Sequence, residues 1–439
     1  MQSRSKVTRR EFLGRMTQAG LSLGALALGN RSWAAQPSPP RNLRIGTGTK
    51  AVLRASDFSY LGSFKLPQAS GGKSTDWSRA LTHRYVNGQL RFFTSTDQAP
   101  SYTPGEVYEV TYPGCATSNY PTATVAQHWG DIYGDKLVDE SNKGGTLYVY
   151  GLFWDSIGQR LYWNYGNDYN TSASNNPCLG VTTLNDSTGK ATPVAAYRMG
   201  DCKMFQYGIT AIPSWFASAY TGGRRLGVGF GGRASAESLG PSSDGPVLAA
   251  IDPPTGAHLS ELPSTTLCSY PCDPTNGDPY YCRRPGDYMD GITAAGHPRG
   301  PFNNGAYGGW QWMDFIYQSG MWIDMPTKHG FMILPVLGHG NIWYESSTIH
   351  SDDLKHWFFV FDPMDLAAVA QATKNPWAVI PASYWEVQYA LYGYPMGRCD
   401  GEPFATPQGA TFDATNNRIY VLLPWTNGNY PMISVFQVS

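Results

Sequence analysis

Charge is scarce in this sequence. Only 15% of its 439 residues are charged, whereas aromatic residues reach 14%. A disordered chain shows the opposite balance, with much charge and few aromatics, so this composition excludes disorder for most of the chain. No apolar stretch is long enough for a permanent transmembrane helix. There is no Cys-x-x-Cys-His for haem attachment and no WD, kelch or Asp-box signature. Positive charge is not in surplus either. The formal net charge is −1, and without the first 34 residues 26 cationic and 32 anionic groups remain. A net −6 carries no electrostatic footprint for nucleic acid or an anionic membrane. Glycine (49) and proline (32) are abundant instead, which marks a turn-rich, strand-rich chain.

The N-terminal region has the order of an export signal. Thr8-Arg9-Arg10-Glu11-Phe12-Leu13-Gly14 has the form of a twin-arginine motif. A weakly apolar run over 19–29 follows, and Ser32-Trp33-Ala34 offers a small-x-small cleavage site before Ala35. Residues 1–34 are therefore expected to be a signal peptide and 35–54 a flexible leader. The expected location is the periplasm or the exterior, without a stable membrane anchor.

A degenerate repeat fills the remainder. Its first element is a polar residue, usually followed by glycine, then alternating apolar residues. It occurs at Arg79-Ala80-Leu81, Tyr150-Gly151-Leu152, Tyr207-Gly208-Ile209, Ser319-Gly320-Met321 and Gln408-Gly409-Ala410. Each copy is followed by a turn and a second strand, at 88–96, 159–166, 224–232, 329–338 and 417–424. Asn87-Gly88 and Gly222-Gly223 are hairpin turn residues. A third strand follows at 106–113, 178–184, 246–253, 357–363 and 432–438. Five three-strand meanders point to radial repeats. The expected fold is all-β, a five-bladed β-propeller over 55–439, with the strand at 57–67 closing the ring as the missing outer strand of the last blade. The copies are 71, 57, 112 and 89 residues apart, and the long interval reads as a Cys-, Pro- and Gly-rich insertion near 264–310.

In a propeller the first strand of each blade lines the central channel. The loops leading into those strands crown one face, and ligands gather there. The residues opening the inner strands are Arg79, Tyr150, Tyr207, Ser319 and Gln408, and the crown loops add Trp77 and His128. These seven are the candidate substrate-binding residues. Every crown loop also carries a carboxylate, and Asp76, Asp201 and Glu402 are the candidate catalytic residues. Two carboxylates in different environments divide acid and base or nucleophile roles on a glycosidic bond. Aromatic rings suit the apolar faces of sugars. A second chemistry remains open: in a polysaccharide lyase Arg79 would neutralise a uronate while Tyr150, Tyr207 or His128 moves protons. A non-catalytic glycan-binding propeller is the third.

Seven cysteines leave an odd one. Cys268, Cys272 and Cys282 read as a disulfide staple in the insertion, and Cys202 and Cys399 lie in crown loops where they would pair if those loops meet. A zinc knot completed by His297 is the other use of the first three. His339, His350 and His356, spaced by 11 and 6, match no compact metal motif. No cofactor is expected, and a structural metal ion stays open.

The repeat over 79–438 resembles the propeller architecture of exported carbohydrate-active proteins. That resemblance implies an oligosaccharide or polysaccharide partner. Five-bladed members of that class include glycoside hydrolases with a carboxylate pair or triad at the channel mouth, and six- and seven-bladed members include uronic-acid lyases. The likeness is one of fold, with no family motif, so it assigns no role to any residue.

Overall fold

The computed structural model describes residues 50–67, 79–96, 106–138, 140, 147–167, 176–200, 205, 207–230, 247–269, 319–345, 348–387, 407–427 and 430–439. Two strands come first, β1 (Ala51–Val52) and β2 (Phe58–Lys65). The first meander is β3 (Arg79–Val86), β4 (Gln89–Ser95), β5 (Val107–Thr111) and β6 (Val125–Gly130). The second is β7 (Leu147–Asp155), β8 (Arg160–Asn167), β9 (Pro177–Asn185) and β10 (Lys190–Arg198). The third is β11 (Gly208–Ala211), β12 (Leu226–Gly229), β13 (Leu248–Ile251) and β14 (Ser264–Cys268).

The fourth sheet is built on β15 (Gly320–Asp324) and β16 (Lys328–Ile333). It takes in β17 (Val336–Glu345), β18 (Thr348–Phe361) and β19 (Ser383–Glu386). Here β16 pairs with the end of β18, while β17 forms a long hairpin on the first part of β18. The fifth sheet holds β20 (Gly409–Asp413), β21 (Arg418–Asn427) and β22 (Tyr430–Val438). Its fourth strand is β2, antiparallel to β22 from Phe58 opposite Val438 to Lys65 opposite Met432. The innermost strands touch in the cyclic order β3, β7, β11, β15, β20 and back to β3. The fold is a five-bladed β-propeller.

Local chemistry explains the elements. Asn87 and Gly88 adopt φ of 52° and 76°, as a two-residue hairpin turn requires. The inner strands carry threonine in alternate blades, and each threonine stitches its strand to a neighbour. Thr82 Oγ1 accepts from Trp154 N–H at 3.1 Å and Thr210 Oγ1 from Trp322 N–H at 3.4 Å. Thr411 Oγ1 bonds His83 Nδ1 at 2.8 Å. Where the inner strands end, aspartates tie blades together. Asp155 accepts two bonds from Arg225, at 2.9 and 2.6 Å. Asp324 accepts from Trp215 Nε1 at 3.1 Å and pairs with Lys50 at 2.6 Å. Asp413 accepts from Tyr85 at 2.7 Å.

The seam between the first two blades holds the most deeply buried ion pair among the described residues. Arg84 donates to both oxygens of Glu109, at 2.9 and 2.7 Å, and to both oxygens of Asp186, at 3.1 and 2.7 Å. Its guanidinium lies over Phe93, Trp129 and Trp154, 5.1–5.7 Å from the ring centres. Trp129 Nε1 also donates to Glu109, so the carboxylate, 0% exposed, is well supplied with donors.

Several features differ from expectation. Residues 50–54 belong to the fold rather than to a leader: β1 runs parallel to β16, and Lys50 reaches Asp324. Residues 264–268 are the outer strand of the third blade, so the insertion begins later than residue 264. The turn between β11 and β12 holds a helix, α1 (Ser214–Tyr220). Asp362 does not simply end a strand. It caps α2 (Pro363–Ala370), accepting from Met364 N–H at 2.8 Å, with proline at the first helical position. Among the described residues no helix is long and apolar enough to cross a membrane, and no three His, Cys, Asp or Glu side chains cluster as a metal site needs.

Candidate functional site

The five inner strands converge where they begin. Residues 80–81, 150–152, 208–209, 319–320 and 409–410 line one small cavity of about 10 Å³, room for about one water, together with Phe230. The glycines of the repeat make this convergence possible. A Cβ on Gly151 would lie 2.8 Å from Gly208 Cα, and one on Gly409 would lie 2.4 Å from Leu81 N. At those distances only hydrogen fits, so the strands narrow the channel to a pit.

The wall of the pit is neutral, mostly aliphatic side chains and glycine, with Tyr150 and Phe230 as its aromatic members. The rings of Tyr150 and Tyr207 sit 5.0 Å apart with 42° between their planes, and both residues are buried. Ser319 is 1% exposed and Gln408 7%, yet Ser319 Oγ and Gln408 Oε1 find no hydrogen-bond partner among the described residues. Asn164 is in the same condition. Its Nδ2 donates to Phe205 O at 2.8 Å, while Oδ1 faces Gly151 without a partner among the described residues. Buried polar atoms are normally satisfied, and an orphan costs roughly 1–3 kcal/mol. Two strained backbone positions border the same space: Ala80 at φ 59° and Phe230 at φ 79°. Strain of this kind concentrates at functional sites.

The candidate residues distribute as follows. Tyr150 and Ser319 line the pit. Tyr207 and Gln408 immediately precede the lining glycines Gly208 and Gly409. Arg79 opens β3 next to Ala80, its backbone opposite Ser95. His128 is on the outer strand β6 and is not part of the pit lining. Its Nε2 lies 3.1 Å from Glu106 Oε2, and its ring stacks on Tyr108 at 4.4 Å. Burial and the neighbouring Glu106 push the Tyr108 hydroxyl up to about 12. Asp76, Trp77, Asp201 and Glu402 lie outside the described residues, as do Cys202, Cys272, Cys282, His297 and Cys399. Cys268 is buried on β14. His83, further along β3, is structural: burial lowers it to about 4 against the opposing pull of Asp413.

Phe230, in the pit lining, and Asn164, against the lining Gly151, are residues that the sequence did not single out. Asn164 lies mid-strand on β8 with no mark of its role. Phe230 reads as one more apolar residue of a second strand. Its only signal is the run Gly229-Phe230-Gly231-Gly232, an aromatic between residues that permit unusual backbone angles.

Chemically, the described lining offers one serine hydroxyl, one tyrosine, aliphatic side chains and close backbone, and none of its residues is ionisable except tyrosine.

No family model and no curated protein matches the chain. Among solved structures it is similar to an exo-β-1,3-galactanase from Phanerochaete chrysosporium, at 7% identity and a TM-score of 0.40, covering 86% of this chain and 64% of the galactanase. It is similar to a GH43_1 enzyme from Xanthomonas citri complexed with xylose, at 9% identity, TM-score 0.38, covering 85% and 88%. It is also similar to a Carbohydrate-Active Enzymes Family AA12 protein from Trichoderma reesei, at 12% identity, TM-score 0.37, covering 91% and 100%. Likenesses this distant leave open what this chain acts on.

Proposed function

We propose that this chain is an exported glycoside hydrolase that binds a sugar residue at the channel mouth, above the pit, and cleaves its glycosidic bond with crown-loop carboxylates. The observation that carries this reading is a pair of orphaned buried oxygens where the inner strands begin: Ser319 Oγ, on a residue of the pit lining, and Gln408 Oε1, on the residue before the lining Gly409. A fold keeps unsatisfied polar atoms at a convergence point when a ligand's hydroxyl groups complete them. Aromatic faces then take the apolar face of the ring.

Asp76, Asp201 and Glu402 precede Arg79, Tyr207 and Gln408 by three to six residues. In this reading they are the residues that act at the channel mouth. One carboxyl group protonates the leaving oxygen, and a second acts as nucleophile or activates water. A separation of about 5–5.5 Å yields retention and about 6.5–9.5 Å inversion. The twin-arginine motif and the mildly acidic composition after residue 34 agree with an extracytoplasmic role.

The test is a screen of the purified protein on neutral and uronic polysaccharides, reading reducing ends and absorbance at 235 nm together. Reducing ends without new absorbance are expected, and Asp201→Asn or Glu402→Gln should abolish them. New absorbance would instead identify elimination. Binding without either signal would identify a lectin.

A further inference from the structure

We infer that the N-terminal strap, residues 50–57, is an acid-released clasp across the seam between the fourth and fifth blades, and that protonation of His329 opens it. The strap occupies an edge that the fourth blade leaves free. β18 pairs with β16 only from Phe331 to Ile333, and the chain then turns away at Asp362 into α2. β1 takes the remainder of that edge, with Ala51 opposite Lys328 and Val52 opposite His329. Ala51 N–H donates to Thr327 O at 2.9 Å, and Leu53 N–H donates to His329 O at 3.1 Å. Leu53 is 0% exposed and shares one apolar cluster with Met321 and Val360 of the fourth blade and Ile419 and Val438 of the fifth. At the far end of the strap Asp57 accepts from Lys328 at 2.6 Å, and β2 then joins the fifth blade.

The near end is built around His329. Lys50 Nζ donates to Asp324 Oδ1 at 2.6 Å and Trp215 Nε1 to Oδ2 at 3.1 Å, so both carboxylate oxygens are engaged. Lys50 also lies over the Trp215 ring, 5.9 Å from its centre, and the His329 ring stacks on the same side chain at 5.9 Å with 23° between planes. His329 is 6% exposed, and its Nδ1 finds no hydrogen-bond partner among the described residues. The charged groups that face it are Lys50 on the strap, Asp324 on β15 and Asp362 at the start of α2, while Trp215 on α1 is neutral. Burial holds the imidazole below its ordinary value of 6.5, Asp362 and Asp324 pull against it, and Lys50 adds to the effect of burial. The closed strap therefore prefers neutral His329. An imidazolium there is a second cation beside Lys50, with Asp324 already taken. Opening the strap withdraws Lys50, admits water and frees an Asp324 oxygen. The full strength of the clasp is thus present above pH 6.5 and is lost as pH falls below it.

Native-state hydrogen exchange of the folded chain between pH 7 and 5, corrected for the intrinsic pH dependence of exchange, reads the opening at Ala51 and Leu53. This window lies above the ordinary aspartate value of about 3.9, so imidazoles are the side chains that titrate in it. One proton taken up on opening raises the opening constant by up to about tenfold per pH unit. The amides of β8, in the second blade, should show no such rise. His329→Gln, neutral at every pH, should remove the dependence. Lys50→Met should loosen the strap at pH 7 and make its opening less steep in pH. Should His329→Gln not fold, the profiles of the wild type and of Lys50→Met carry the test. A wild-type opening constant that stays flat from pH 7 to 5 would overturn the inference. So would a dependence that survives His329→Gln, an undiminished slope in Lys50→Met, or a rise that β8 shares equally.

Discussion

Ser319→Ala separates recognition from stability at the pit. The Ser319 hydroxyl is buried and makes no hydrogen bond among the described residues. An orphaned hydroxyl costs the fold roughly 1–3 kcal/mol in lost hydration. Alanine removes that cost and leaves a void of one oxygen atom, so the variant should be more stable by about 1 kcal/mol. Unfolding entropy of about 2.1 cal/mol/K per residue makes this a rise in Tm of only about 1 °C for a chain of this size. The same substitution deletes an acceptor for a sugar hydroxyl. Losing one such bond weakens binding by about 0.5–1.5 kcal/mol, or roughly two- to twelvefold. Scanning calorimetry reads the first effect, and titration with the oligosaccharide released in the polysaccharide screen reads the second. A fall in Tm of more than about 2 °C would show that the hydroxyl serves the fold. Unchanged affinity would show that it serves no ligand. Either result refutes the reasoning.

Two further predictions concern the seams. Glu109→Gln removes the buried charge that Arg84 grips with two bonds and should cost about 3–5 kcal/mol, whereas Asp186→Asn, at a side chain 60% exposed, should cost under about 1 kcal/mol. Urea titrations check the contrast, and equal costs would overturn it. At the fifth seam, burial lowers His83 from 6.5 to about 4. Protonation therefore favours the unfolded chain. The stability present above pH 6.5 is lost as pH falls from 6.5 toward 4, by at most about 3 kcal/mol from this group. His83→Gln should flatten the dependence of Tm on pH in that window, and an unaltered slope would exclude His83 as its source.

The blades were legible because each inner strand carries the same small mark, a polar residue followed by a small one. Close strand approach demands that small residue, and the structure shows the same positions lining the pit. Other features had no comparable mark. β1 is two residues long and pairs with a strand some 270 positions away, so neither periodicity nor length betrays it. The long β17–β18 hairpin contains His350-Ser351-Asp352-Asp353, a polar run that reads as loop. β14 sits beside Cys272 and a proline- and glycine-rich stretch, and composition hid it. At the site, Tyr150 and Ser319 followed from topology alone. Phe230 did not, because it reaches the lining through a backbone angle and the space two distant glycines leave. Residue order puts His128 in a crown loop, but it lies on the outer strand β6. Its side chain instead settles against Glu106 and Tyr108 within its own blade.

The joining of β2 to β22 gives the ring a direction of weakness under load. Phe58 and Val438 face each other at one end of the antiparallel pair. Tension drawn through the chain at those two residues would therefore peel the rungs apart in succession instead of shearing them all at once. Peeling needs far less force than shear. The Lys328 ammonium stands at that very end, 2.6 Å from Asp57 Oδ1 and 2.7 Å from Ser439 O, with Ser439 N–H donating to Asp57 O at 3.0 Å. Like a rivet at the lip of a zip, it guards the rung where tearing would start.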